Sequence, residues 1–191
     1  MREASITRKT RETDISLRLN LDKSDNTEIS TGIGFFDHML TAFSLHGGFG
    51  LTVDCKGDLD VDTHHTAEDV GIVLGKALKE ALGDTKIKRY GSARIPMDES
   101  LGWCDIDICN RPFLVFKSEF TNSKVGEFDT QMVEEFMQAL AFNSGITLHI
   151  AAYGRNDHHI IEAMFKALAY ALKKAVKLAD DNGVISTKGV L

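Results

Sequence analysis

The residues best suited to chemistry are two pairs of adjacent histidines, each followed three residues later by a glutamate. The first set is His64-His65 with Glu68, and the second is His158-His159 with Glu162. Residues three and four apart on a helix lie on the same face, so each glutamate can share an ion with a histidine. Imidazole nitrogen and carboxylate oxygen together suit manganese, iron or zinc. The doubled pattern predicts a metal centre, and the lack of an HExxH sequence disfavours a zinc protease.

Helix geometry also predicts how these ligands divide between ions. Adjacent side chains point about 100° apart, so His64 and His65 do not easily chelate a single ion. We expect each glutamate to join the histidine four residues before it, while His65 and His159 complete the opposite site. This crosswise sharing requires the two helices, from one chain or from neighbouring chains, to lie against each other. His38 and His149 are candidates for the remaining ligands, giving two sites that keep open positions for a substrate.

A weak internal repeat indicates how the chain positions these residues. Residues 34–37 (GFFD) resemble residues 126–129 (GEFD), and each segment is followed by an amphipathic stretch that stops at glycine. In both halves a short strand, a turn with glycine and a long helix then follow, and the histidine pair opens that helix. Strand-like segments are predicted at residues 16–21, 27–31, 49–53, 104–109, 113–120 and 146–151.

Each long helix has a predicted cap and one apolar face. Asp62 or Thr63 can cap the first helix, and Asn156 or Asp157 can cap the second. The apolar faces consist of Val70, Leu74, Ala77, Leu78 and Leu82 in the first helix and Ile161, Phe165, Leu168 and Leu172 in the second.

These elements predict an α+β fold built by internal duplication. Each half reads as strand, strand, helix, strand, helix, and we expect the helices on one face of each small sheet. Residues 1–90 are interpreted as the first half and residues 91–191 as the second, packed together as one compact domain. Because equivalent positions in the two halves inherit the same geometry, duplication also gives a reason for paired sites.

Composition narrows the class of protein further. The net charge of −6 argues against a nucleic-acid partner. The chain lacks an apolar run of the roughly 20 residues that a membrane span needs, and its first residues lack the apolar stretch of a signal peptide. We therefore expect a cytoplasmic protein with no membrane partner. The three cysteines lack CxxC spacing, which favours free buried thiols.

Together with the histidine pairs, several segments resemble the imidazoleglycerol-phosphate dehydratase family. The resemblance runs in order from Arg8 to Leu191. The segments that carry it are residues 31–40 (TGIGFFDHML), 62–69 (DTHHTAED), 89–91 (RYG), 96–99 (PMDE), 156–159 (NDHH) and 186–189 (STKG).

The resemblance implies a hydro-lyase that dehydrates imidazole glycerol phosphate to imidazole acetol phosphate in histidine biosynthesis. It also implies manganese at two sites between the subunits of a large homo-oligomer, typically a 24-mer. By resemblance, one ion would be bound by His64, Glu68, His149 and His159. The other would be bound by His38, His65, His158 and Glu162, in agreement with the crosswise division.

The resemblance also assigns roles toward the substrate. Glu12 corresponds to the family's substrate-contacting glutamate and is the candidate acid or base. The phosphate would be bound by Arg89, Arg111, Ser186 and Lys188. Four of the metal ligands would also contact the substrate, namely His38, His64, His65 and Glu68. Asp98 and Glu99 are candidates to orient metal ligands from behind.

Two segments depart from the family pattern. Asp62-Thr63 stands where paired aspartates are common, a change that we expect to be harmless. Cys109-Asn110 precedes Arg111-Pro112 where the family commonly has Ser-Gly, which affects the expected backbone near the phosphate.

Two other functions fit part of the same residues. A metal-dependent hydrolase of a phosphorylated sugar would share the metal and phosphate ligands. A non-catalytic metal store would bind metal but would not need Glu12 or Arg111.

Overall fold

The structure is a computed structural model that describes residues 1–179. Two of the predicted phosphate-binding residues, Ser186 and Lys188, lie outside the described residues. Within residues 1–179, no helix is long and apolar enough to cross a lipid bilayer.

The first half forms a four-stranded sheet with two helices. Its elements are β1 (Glu3–Lys9), β2 (Thr13–Asn20), β3 (Thr27–Ser30), α1 (Gly34–Gly47), β4 (Gly50–Gly57) and α2 (His64–Leu82). The strands occur in the spatial order β1-β2-β4-β3, where β1, β2 and β4 are antiparallel neighbours and β3 is parallel to β4.

The second half repeats this arrangement, with a two-stranded ribbon added before its first helix. Its elements are β5 (Tyr90–Met97), β6 (Ser100–Ile108), β7 (Phe113–Lys117), β8 (Lys124–Val125), β9 (Phe128–Asp129), α3 (Met132–Ser144), β10 (Ile146–Tyr153) and α4 (Asp157–Ala175). The spatial order β5-β6-β10-β7 and the strand directions match those of the first sheet. The predicted α+β duplication is confirmed.

The helices pack on one face of each sheet and against the helices of the other half. Helix α2 packs on β1 and β2 and against α3, while α4 packs on β5 and β6 and against α1. The close approach of α2 to α3 depends on Gly71, because a Cβ there would lie 2.9 Å from the carbonyl oxygen of Phe136. Gly102 of β6 plays the same part under α4, where a Cβ would lie 2.6 Å from the carbonyl carbon of Ala163. The long helices that carry the histidine pairs are thus fixed by backbone-to-backbone packing.

The sequence failed to predict the edge strands β1 and β5 and the two-residue strands β8 and β9. In β1 only Ala4 is fully buried, so the segment lacks the apolar alternation that identifies a strand. The repeat between residues 34–37 and 126–129 is also only local. The first segment begins α1, whereas residues 128–129 form β9, ahead of α3.

Candidate metal centre and active site

His38, His158 and Glu162 form a cluster of possible metal ligands. One ligand atom from each lies within 4.8 Å of the others, and among residues 1–179 this is the one such group of three or more. Glu162 Oε2 is 3.2 Å from His158 Nε2 and 3.8 Å from His38 Nε2. The packing of α1 against α4 brings His38 to the other two side chains. As the spacing predicts, the glutamate lies beside the histidine four residues before it.

The carboxylate of Glu162 is buried but remains ionised. Only 8% of the residue is exposed, and burial alone would raise the pKa of its carboxyl group. A hydrogen bond that Lys166 Nζ donates to Oε1 over 2.7 Å and the positive charges of Lys166, His38 and His158 together outweigh burial and hold the pKa below its ordinary value. Since Lys166 occupies Oε1, it is Oε2 that faces the two imidazoles.

The first turn of α2 has the corresponding pair, in a more exposed setting. His64 Nε2 lies 3.7 Å from Glu68 Oε2, and both side chains are more than one third exposed. The side chain of Asp62 accepts a hydrogen bond from the backbone N–H of His64 over 2.7 Å. In α4 the side chain of Asn156 accepts from the N–H of His158 over 3.0 Å. Asn156 is thus the N-cap of α4, which begins at Asp157, whereas α2 begins at His64 after Thr63 and Asp62 binds its first N–H from just outside the helix.

The second histidine of each pair turns toward carboxylates on neighbouring loops. His65 Nδ1 lies 3.0 and 3.2 Å from the two carboxylate oxygens of Asp58, and its Nε2 lies 3.7 Å from Glu12 Oε1. The hydrogen bond between His65 and Asp58 raises the pKa of His65, and the negative charges of Asp58 and Glu12 add to the effect. The sequence singled out Glu12 but missed Asp58, whose only signal is its place just after β4.

His159 has an equivalent environment in the second half. Its Nδ1 lies 2.9 Å from Glu99 Oε2, and its Nε2 lies 3.8 Å from Asp98 Oδ2. The hydrogen bond with Glu99 raises the pKa of His159 and lowers that of Glu99. Glu99 therefore lies where it can orient this histidine from behind. Asp98 lies instead on the Nε2 side of the ring, beyond hydrogen-bond distance.

The structure does not bring each predicted set of four ligands together within one chain. In the described contacts His65 joins Asp58 and Glu12 rather than the cluster of His38, His158 and Glu162. His149 is exposed on β10, whereas its neighbours Leu148 and Ile150 are buried. Because side chains alternate along a strand, His149 lies on the sheet face opposite to the one covered by α4. Among the helices of residues 1–179, α2 packs against α3 and α4 packs against α1.

Two of the predicted phosphate ligands meet at one carboxylate. Arg89 Nε and Nη2 donate to Asp107 over 2.6 and 3.1 Å, and this pairing raises the pKa of the guanidinium. Arg111 Nη2 lies 3.8 Å from the same carboxylate, and its side chain is 68% exposed. Arg89 is only 8% exposed and has a φ of 70°, a left-handed conformation that is uncommon for arginine. Its guanidinium is thus held in one place by Asp107, which the sequence did not single out.

The departure from the family pattern before Arg111 is accommodated by the backbone. Asn110 has a φ of 54°, the left-handed region in which glycine is favoured and asparagine is tolerated. Its side-chain oxygen also accepts a hydrogen bond from Lys79 Nζ over 3.1 Å. Asparagine can therefore hold the turn that a glycine would otherwise make.

Known proteins share both the sequence and the fold of this chain. A family model described as imidazoleglycerol-phosphate dehydratase matches residues 31–172. Proteins of that name from Clostridium kluyveri and from Bacillus cereus (strain B4264) are 56% and 58% identical to it, and each alignment covers 100% of both chains. A crystal structure of imidazoleglycerol-phosphate dehydratase from Staphylococcus aureus subsp. aureus N315 has a TM-score of 0.85 at 40% identity and covers 93% of this chain and 99% of that one. The structure from Pyrococcus furiosus, in complex with (S)-C348, has a TM-score of 0.86 at 39% identity and covers 97% of this chain and 100% of that one.

Proposed function

This chain belongs to the imidazoleglycerol-phosphate dehydratase family, and on that premise we propose that it removes water from imidazole glycerol phosphate to give imidazole acetol phosphate. It is a hydro-lyase of histidine biosynthesis. The observation that carries the proposal is the full-length identity of 56–58% to dehydratases, in a chain that also brings His38, His158 and Glu162 together.

We further propose that the reaction depends on two divalent metal ions, with manganese as the first candidate. The side chains of the cluster fit such an ion, since two imidazoles and one ionised carboxylate present ligand atoms within 4.8 Å of one another. His38, His65, His158 and Glu162 would hold one ion, and His64, Glu68, His149 and His159 would hold the other. A bound divalent ion supplies a Lewis acid that polarises oxygen and nitrogen atoms of the substrate.

Both sites are proposed to form between subunits of a homo-oligomer, with the 24-mer of the family as the expected assembly. The argument rests on the placement of two histidines. His149 lies on the outer face of the second sheet, away from the helix that carries His159, and His65 contacts Asp58 rather than the cluster. A neighbouring copy can supply the missing ligands, because the outer face of the sheet remains accessible to it. We expect this assembly in the cytoplasm.

Glu12 is proposed as the residue that moves the proton. Dehydration breaks the C–O bond at the carbon attached to the imidazole ring and a C–H bond at the next carbon. Water leaves, and the resulting enol becomes the ketone of the product. The C–H proton is not acidic in water, so a base must lie against it. The side chain of Glu12 is 53% exposed, and its Oε1 is 3.7 Å from His65 Nε2, so it faces the site with a carboxylate that can take a proton and return it.

Arg89 and Arg111 are proposed to bind the phosphate, together with Ser186 and Lys188. A guanidinium offers donors in a fixed fork that matches phosphate oxygens. Asp107 holds Arg89 over 2.6 Å, so that arginine loses little conformational freedom when the phosphate binds. Arg111 is exposed and can adjust to the ligand.

The purified protein, supplied with manganese and imidazole glycerol phosphate, should form imidazole acetol phosphate, followed by the absorbance of the product. Glu12→Gln should abolish turnover and leave the metal content intact. Asp14→Asn is the matched control, because Asp14 lies on the same hairpin and pairs at the surface with Lys9. Absence of product with metal bound would reject the dehydratase, and full activity of Glu12→Gln would reject its role.

A further inference from the structure

In each half, the hairpin between the first two strands contacts the loop that precedes the long helix, but the two halves make this contact with different atoms. In the second half, the β5–β6 hairpin contributes Glu99, whose Oε1 accepts hydrogen bonds from the backbone N–H groups of Arg155 and Asn156 over 3.1 and 2.9 Å. Its Oε2 binds His159 Nδ1 over 2.9 Å. This one carboxylate thus joins the hairpin to the loop before α4 and orients the histidine at the start of that helix. All of these contacts engage it, so it is not available to exchange protons with a substrate.

In the first half the carboxylate that orients the histidine comes from the loop instead of the hairpin. The loop before α2 contributes Asp58, whose backbone N–H donates to the carbonyl oxygen of Glu12 over 3.0 Å. The carboxylate of Asp58 binds His65 Nδ1 over 3.0 and 3.2 Å. The hairpin is therefore fastened to the loop by main-chain atoms, and the histidine is oriented by a carboxylate of the loop. This leaves the carboxylate of Glu12 facing His65 Nε2, at 3.7 Å.

We propose that Asp58 is a positioning residue that fixes the ring of His65 and the backbone of Glu12 together, and so keeps Glu12 available for proton transfer. The proposal rests on the proposed function of Glu12 and His65. A hydrogen bond from Nδ1–H to a carboxylate fixes the tautomer and the orientation of an imidazole, so that Nε2 presents its lone pair. The second half of the same chain offers the comparison. There Glu99 orients His159, but its carboxylate is engaged by three hydrogen bonds.

The test compares Asp58→Ala, Asp58→Asn and Asp60→Ala in the full-length protein. Asp60 is exposed in the same loop and serves as the control. Three quantities are measured, namely the affinity of the metal-stripped protein for Mn²⁺ by electron paramagnetic resonance, kcat and KM with imidazole glycerol phosphate, and the circular dichroism spectrum. Loss of a carboxylate behind a metal-binding histidine typically costs about 10–100-fold in metal affinity or activity.

Asp58→Ala removes the carboxylate behind His65 and keeps the backbone N–H that donates to Glu12. We expect the loss of the carboxylate to lower kcat and the affinity of one Mn²⁺ site by about 10–100-fold, with little change in KM. Asp58→Asn should recover most of the loss, because its amide oxygen can still accept the Nδ1 proton. Asp60→Ala should match the wild type. The proposal is overturned if Asp58→Ala binds Mn²⁺ and turns over as Asp60→Ala does, or if Asp58→Asn is as impaired as Asp58→Ala. A wild-type protein without dehydratase activity would instead reject the proposed function, and the Mn²⁺ affinities would still decide the role of Asp58.

Discussion

Replacement of Asp69 should both destabilise the fold and reduce turnover, because this buried side chain anchors the hairpin that carries Glu12. Asp69 lies in α2, and only 8% of its side chain is exposed. It accepts a hydrogen bond from Thr13 Oγ1 over 2.5 Å and forms an ion pair with Arg8. Both partners lie at the ends of the strands that flank Glu12, so the contacts fix the hairpin on the helix of His64 and His65.

The size of the effect follows from these contacts. A hydrogen bond to a charged group contributes about 1.5–3 kcal/mol, and removing one partner of a buried pair costs about 3–5 kcal/mol. The side chain of Arg8 is 28% exposed, so water partly replaces the lost partner. We therefore expect Asp69→Ala to lower the free energy of unfolding by about 2–4 kcal/mol. For a chain of this length, that corresponds to a fall in Tm of about 5–15 °C.

Thermal unfolding followed by circular dichroism, at equal protomer concentrations, measures this change. Asp14→Ala is the matched control, since it removes an ion pair with Lys9 from the same hairpin, where both side chains are more than half exposed. An exposed pair contributes little, so the control should shift Tm by no more than about 2 °C. At a temperature where both variants are folded, Asp69→Ala should also have a lower kcat. Equal Tm values for the two variants, or an unchanged kcat, would refute the anchoring role.

Three further predictions concern the assembly, the phosphate site and the packing of α4. Chelation with EDTA should shrink the particle on size-exclusion chromatography if ligands are shared between chains, and an unchanged elution volume would count against shared ligands. Arg111→Ala should raise KM far more than it lowers kcat, because the exposed guanidinium is proposed to bind the phosphate rather than the reacting carbons. If steady-state assays give the variant the same KM as the wild type, that assignment is contradicted. Gly102→Ala should destabilise the protein by at least about 1–3 kcal/mol in thermal unfolding, because the new Cβ would meet backbone atoms of α4 2.6 Å away. Gly34→Ala is its control, with nothing within 4 Å of the new Cβ, and the reasoning fails if the two variants melt alike.

The sequence predicted the parts of the site that depend on local geometry. The helical period alone places Glu68 beside His64 and Glu162 beside His158, at 3.7 and 3.2 Å. Both helices begin where the capping residues predicted. The apolar faces are buried as expected, since that pattern is set by the same period.

The remaining features depend on contacts between distant segments, which spacing does not encode. The contact of Asp58 with His65 arises from the way the β4–α2 loop folds over the start of the helix. The left-handed backbone of Arg89 and its pairing with Asp107 likewise result from tertiary packing. The edge strands β1 and β5 were not predicted because few of their side chains are buried, so their sequences lack a clear apolar alternation. The crosswise division of ligands is not formed within residues 1–179 of one chain, so it remains a prediction.

We expect imidazoles and carboxylates of both halves to surround metal ions in the assembled protein. The number of ions bound per chain tests this most directly, and it is measured by inductively coupled plasma mass spectrometry of protein that has been loaded with manganese and dialysed. We predict two bound ions per chain in the wild type and a loss of one of them in Glu162→Gln. A wild-type protein that retains no transition metal, and takes up none on titration, would contradict the account.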